Sequence, residues 1–208
     1  LRTAMIIGVP CTFGLMTLAE PIMLLIYPLQ AESASSAAPC LFILSIGIIF
    51  LCVAQTMAGI LQGLGRPYVA VVSLCAGVVV KAIVTYSLTG IPGLNVQGAA
   101  IGSSAAFCVV GILNFAAVKK YTGTKFNVKL SVWKPVFSGV VMGIVVLAVY
   151  YLCRNIIGNS LSTVLAVALG AVVYGIMLLR TRAIEAHEIK LLPKGEKLAK
   201  LLTKFKLI

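Results

Sequence analysis

Six apolar runs, each long enough to cross a bilayer as a helix, dictate what this chain can become. They cover Thr3–Tyr27, Ala38–Leu61, Tyr68–Leu88, Val96–Val118, Pro135–Cys153 and Gly158–Leu179. A hydrocarbon core takes about 20 apolar residues per helix. Glycines and prolines inside several runs fit this, because lipid-embedded helices tolerate them better than soluble ones. The fold expected is therefore all-α: a polytopic membrane bundle of six transmembrane helices. Composition agrees. Of 208 residues, 61% are hydrophobic and 11% charged, against roughly 25% charged in a soluble domain. The first run is too long for a signal peptide and carries Pro10 and Pro21. The chain opens on Leu1 rather than Met, so the expectation is a piece of a longer protein.

The charges orient the runs. Fifteen of the 17 Lys and Arg residues fall on one side if the loops alternate. That side holds Arg2, Arg66, Lys119, Lys120, Lys125, Lys129, Lys134 and every basic residue from Arg180 onward. The other side holds Arg154 alone, and Lys81 lies within a run. Basic loops stay in the cytoplasm, so both ends are expected there, in a multi-pass protein of the cell membrane. Loops Pro28–Ala37, Thr89–Asn95 and Arg154–Ile157 then face outward. The net charge of +12 is spent on this asymmetry, and no aromatic-rich basic module points to nucleic acid. Trp133 sits where a membrane interface favours tryptophan and takes no chemical role.

Three glycine pairs have the four-residue spacing that lets helices approach closely in lipid: Gly59/Gly63, Gly98/Gly102 and Gly139/Gly143. Gln62-Gly63-Leu64-Gly65-Arg66-Pro67 reads as a tight cytoplasmic turn, with Pro67 suited to a helix start. The six cysteines form no CxxC pair, so no zinc or redox motif arises; they read as small buried or lipid-facing residues. Beyond Pro193, Leu198, Leu201, Leu202 and Phe205 share one helical face among lysines. That pattern predicts a basic amphipathic helix lying on anionic inner-leaflet lipids.

No catalytic constellation, metal motif or cofactor fingerprint is present. His187-Glu188 begins like a zincin, but position 191 is leucine where HExxH needs histidine. Four candidate site residues inside the runs remain. Lys81 is the most informative. A charge at the centre of a span costs at least ~2.5–3.5 kcal/mol on insertion scales, so such a residue faces protein or a wet cavity. Counting from Tyr68 puts Lys81 ~20 Å from the inner edge, deep for easy snorkelling. It reads as a cavity-lining cation or as a hydrogen-bond donor to a neighbouring helix. Gln55 and Asn114 are the next substrate-binding candidates, although buried amides often serve to join helices. Glu20 is a candidate cation or proton site; equally, it suits the N-terminus of a short helix starting near Pro21.

The stretch Ala58-Gly59-Ile60-Leu61-Gln62-Gly63-Leu64-Gly65-Arg66-Pro67 resembles a turn of polysaccharide-exporter proteins. The segment from Lys81 through Ile91-Pro92-Gly93-Leu94-Asn95-Val96-Gln97-Gly98-Ala99-Ala100-Ile101-Gly102 is similar to the piece that follows it there. Glu20-Pro21-Ile22 and Leu191-Leu192-Pro193-Lys194-Gly195-Glu196-Lys197-Leu198 add to the likeness. Together they resemble the stage V sporulation protein B branch of the MOP (MATE-like) superfamily, with the MurJ-like lipid-linked oligosaccharide flippases. The resemblance implies the last six of fourteen helices. Residues 1–118 would be four helices of the second flippase lobe. Residues 119–179 would be a cytoplasmic basic loop and two accessory helices, and residues 180–208 a cytoplasmic amphipathic tail. It implies no enzyme and no cofactor. The partners implied are a lipid-linked oligosaccharide and the remaining N-terminal helices. The function expected is export of an undecaprenyl-diphosphate-linked cell-wall precursor or polysaccharide unit by alternating access. A MATE-type cation or drug antiporter and an integral-membrane lipid-sugar transferase are the alternatives.

Overall fold

In a computed structural model that describes residues 2–91, 93–123 and 128–180, the chain is a bundle of helices joined by short turns. The seven described helices are α1 (Arg2–Thr17), α2 (Ala19–Ile26), α3 (Ala31–Gly63), α4 (Pro67–Thr89), α5 (Asn95–Thr122), α6 (Val128–Ile157) and α7 (Asn159–Arg180). Helices α3 to α7 are long and apolar enough to cross a membrane, and α1 with α2 passes the same test only as a bent pair, which gives five crossings, or six if the pair is one span. The chain is a multi-pass, all-α membrane bundle. The tail helix expected beyond Arg180 lies outside the described residues.

The first run is thus broken into two helices that meet at 77°. The cause is local. Residue 21 of an unbroken helix would donate its amide to the Thr17 carbonyl, but Pro21 has no N–H and its ring crowds that carbonyl. The Thr17 hydroxyl also bonds back to the Phe13 carbonyl at 2.7 Å, a bond that bends helices. Pro10 behaves differently and stays inside α1. Its missing amide leaves the Ile6 carbonyl free, and the Tyr174 hydroxyl of α7 donates to that oxygen at 2.9 Å. Replacing the bond is hard inside an apolar core. Tyr174→Phe is therefore expected to destabilise the protein by about 1–3 kcal/mol, read as a lower melting temperature; unchanged melting would show that the bond contributes nothing.

Three loops are shorter than expected, and the outer loop expected at Arg154–Ile157 is the last turn of α6, with only Gly158 between it and α7. Helix α3 begins at Ala31, inside the anticipated loop Pro28–Ala37, with Glu32 in its first turn, where an acid suits the helix dipole. Helix α5 runs to Thr122 and stops at Gly123 in the left-handed conformation (φ 62°), and α6 restarts at Val128. The turn before α4 forms as read: Gly65 has φ +71°, and Pro67 opens the helix.

Helix α3 is central, packing against α1, α2 and α5; α4 lies mainly on α5, and α6 pairs with α7 against α1. One core joins Met5, Val9 and Leu18 to Met142, Val146 and Tyr174. A second joins Met57 and Leu61 of α3 to Ala70 of α4 and Val118 of α5. Two of the three glycine pairs sit at helix contacts. A Cβ on Gly98 would lie 2.9 Å from the Leu88 carbonyl carbon and the Thr89 nitrogen; one on Gly102 would lie 3.1 Å from the Thr85 nitrogen. Gly139 and Gly143 face α1 in the same way, a Cβ on Gly139 meeting the Phe13 ring at 2.7 Å. Gly59/Gly63 does not: the space beside both is open. Both residues are exposed. The cysteines are all free, with Cys11 and Cys75 exposed and the other four partly buried.

Candidate functional site

Where α3, α4 and α5 meet, one face of each helix lines a shared groove of ≈ 290 Å³. Helix α3 contributes Leu51, Ala54, Gln55, Ala58 and Gln62; α4 contributes Pro67, Ala70, Val71 and Leu74; α5 contributes Phe107, Val110 and Asn114. The spacing within each helix is that of a single helical stripe. Small residues, Ala54, Ala58 and Ala70, leave the space. The sequence candidates Gln55 and Asn114 are brought together here.

Their situations differ. Asn114 is 1% exposed, and its amide nitrogen donates to the Ala54 carbonyl at 3.1 Å, joining α5 to α3. Its Oδ1 is buried and has no hydrogen-bond partner among the described residues. Gln55 is exposed on the groove wall.

Lys81 lies seven residues beyond Leu74 on α4, which is two turns along the same stripe and ~10 Å farther from the Arg66 end. Its side chain is exposed. Its backbone carbonyl lies 3.3 Å from where a Gly102 Cβ would be, so the close approach of α5 sets the rotation of α4 at this point. The neighbouring-helix hydrogen bond has no partner for the ammonium among the described residues.

Glu20 stands apart. It occupies the first turn of α2, beside the break in the first span. With Thr17, Tyr150, Tyr151 and Arg154 it lines a second cavity of ≈ 510 Å³. Broken backbone at membrane depth is tolerated where it lines a wet cavity or is buried in protein. The break is also pinned from outside: the Tyr150 hydroxyl donates to Asn159 Oδ1 at 2.7 Å, and the Asn159 amide nitrogen donates to the Pro21 carbonyl at 3.4 Å. The Arg154 guanidinium carbon sits 6.0 Å from the centre of the Tyr150 ring. Sequence reasoning did not single out Arg154 or Asn159. Arg154 carried one signal, as the lone basic residue on its side.

At the other end of the bundle the turn residue Arg66 reaches α5, its guanidinium carbon 4.2 Å from the centre of the Tyr121 ring. Tyr68 and Lys120 also act on Tyr121. The groove therefore runs from a basic, aromatic mouth toward the middle of the bundle.

No protein-family model matches the chain, and no solved structure does. Two curated relatives are from Bacillus subtilis (strain 168). The chain is 25% identical over 208 residues to the "Uncharacterized membrane protein YabM", covering 96% of the chain and 37% of the relative. It is 26% identical over 183 residues to "Lipid II flippase MurJ", covering 84% of the chain and 33% of the relative. The chain thus spans about a third of the length of the curated relatives it matches. What geometry and likeness jointly support is a multi-pass membrane protein similar, over most of its length, to a lipid flippase.

Proposed function

We propose that this chain is part of a flippase that moves a lipid carrying an anionic, diphosphate-linked saccharide head across the membrane. The observation that carries this reading is Lys81, an intramembrane cation exposed on the stripe of α4 that continues from an apolar groove. An amphiphile with an anionic head needs both surfaces. Its head must leave water, and a cation offsets part of that cost. Likeness to a lipid II flippase supports the same substrate class. Transport would proceed by alternating access, with helices of the full-length protein rocking about a central site. The basic end, with Arg66, Lys119 and Lys120, faces the cytoplasm.

A cation antiporter would need carboxylates within the membrane. Glu20, the candidate for that role, lies at the end of the bundle opposite the groove, in a cavity that Arg154 also lines. The test is reconstitution of the full-length protein in vesicles with a fluorescent undecaprenyl-diphosphate saccharide. Protein-dependent movement of the lipid is expected. Uptake of a cationic dye on a sodium or proton gradient, with no movement of the lipid, would replace this reading with the antiporter.

A further inference from the structure

We infer that the groove between α3, α4 and α5 is a binding site for an anionic phospholipid of the basic-side leaflet, with one acyl chain in the groove and the phosphate at Arg66 and Lys120. The inference stands apart from the transport reading, because a bilayer lipid can occupy this groove whether or not the protein moves lipids.

The dimensions fit a chain. On α3 the groove runs from Leu51 to Gln62, and eleven residues of helix rise ~16 Å. That is about half of a ~30 Å hydrocarbon core, the depth of one leaflet. A volume of ≈ 290 Å³ over ~16 Å leaves ~18 Å² of cross-section, the width of a single extended chain. The walls are apolar apart from Gln55, Asn114 and Gln62.

The charges fit a phosphate. The mouth of the groove is formed by Gln62 and Pro67, immediately beside Arg66. The Arg66 guanidinium lies against the Tyr121 ring at 4.2 Å, which holds a cation in place without neutralising it. Lys120 adds a second positive charge at the same tyrosine. Among the described residues the carboxylates are Glu20 and Glu32, and both belong to the opposite end of the bundle. The mouth therefore has cations with no described counter-charge. Basic pockets between transmembrane helices on the cytoplasmic side recognise anionic headgroups, and Tyr68 and Tyr121 have the amphipathic rings favoured at that depth.

The test uses the full-length protein and native mass spectrometry. Phosphatidylglycerol and phosphatidylcholine with identical chains are compared, with inorganic phosphate as competitor. Preferential retention of phosphatidylglycerol is expected. Replacing both Arg66 and Lys120 by Gln should weaken that retention ~30-fold, about fivefold per charge, toward the phosphatidylcholine level. Arg66→Lys, which keeps the charge, should retain most of it. Phosphatidylglycerol with a diazirine on its acyl chain should label peptides containing Leu51–Gln62 or Phe107–Asn114. Equal retention by wild type and double variant would overturn the inference. So would labelling confined to other helices, the result expected if another part of the full-length protein fills the groove. Displacement of the lipid by inorganic phosphate would also overturn it, because the site would then recognise a free anion.

Discussion

Gly98→Val should be among the most damaging single substitutions in this chain. A Cβ at position 98 would lie 2.9 Å from backbone atoms of Leu88 and Thr89, and backbone cannot rotate aside as a side chain can. The helices must separate. Separation forfeits the packing that holds helices together in lipid, where no hydrophobic force replaces it. Overpacking of this kind costs about 3 kcal/mol at the upper end of its usual range, equivalent to a fall of roughly 6–12 °C in melting temperature for a chain of this size. Gly59→Val is the control, since the space beside Gly59 is open, and it should change stability by no more than ~0.5 kcal/mol. Thermal unfolding of the two variants in detergent makes the comparison. Equal melting temperatures would mean that α4 and α5 do not touch at Gly98.

Lys81→Met should affect transport and spare the fold. The side chain is exposed and holds no described partner, so its removal breaks no contact within the bundle. Removing an intramembrane charge lowers an insertion cost of at least ~2.5–3.5 kcal/mol, and thermal stability should hold or rise. Transport should fall. A charged hydrogen bond to a phosphate oxygen contributes about 1.5–3 kcal/mol, which corresponds to roughly a 10–100-fold slower rate if the contact forms in the transition state. Lys81→Arg should recover part of it, since a guanidinium also grips phosphate. The assay is flipping of a lipid-linked saccharide diphosphate by the full-length protein. A normal rate for Lys81→Met would remove Lys81 from the mechanism. Lys81→Cys provides an independent measurement: a water-filled path predicts reaction with membrane-impermeant thiol reagents, and a lipid-facing position predicts none.

The two expectations are linked through α5. The same glycine face that brings α5 against Leu88 and Thr89 brings it to the Lys81 carbonyl. The angle at which the lysine leaves α4 is thus set by a small-residue contact one helix away. A Gly102 variant that still folds should change thiol reactivity at position 81 before it changes anything else about that helix.

Much of the fold was legible in residue order. Apolar runs mark spans because lipid leaves the backbone no partner except itself. The glycine spacing identified α5 as a close-packing helix. It misled at Gly59/Gly63, where the same spacing meets empty space. Spacing states that an approach is sterically possible; whether a second helix arrives depends on contacts far away in the chain. The bent first span was readable in part, through Pro21. Its sharpness was not, because the 77° turn is held by Tyr150 and Asn159, about 130 or more residues downstream.

The amino-acid order alone determined that this chain lives in a bilayer, where its apolar runs fall, and that one lysine sits deep among apolar residues. These are properties of single segments, governed by transfer between water and lipid. Only the tertiary structure decided which polar residues share a space. It placed Gln55 with Asn114 in one groove, set Lys81 farther along the same α4 stripe, and sent Glu20 to a separate cavity beside Arg154. The physical reason is rotation. A helix in lipid is free to present any face until small residues and hydrogen bonds to other helices fix it, and those contacts join positions that no local pattern connects.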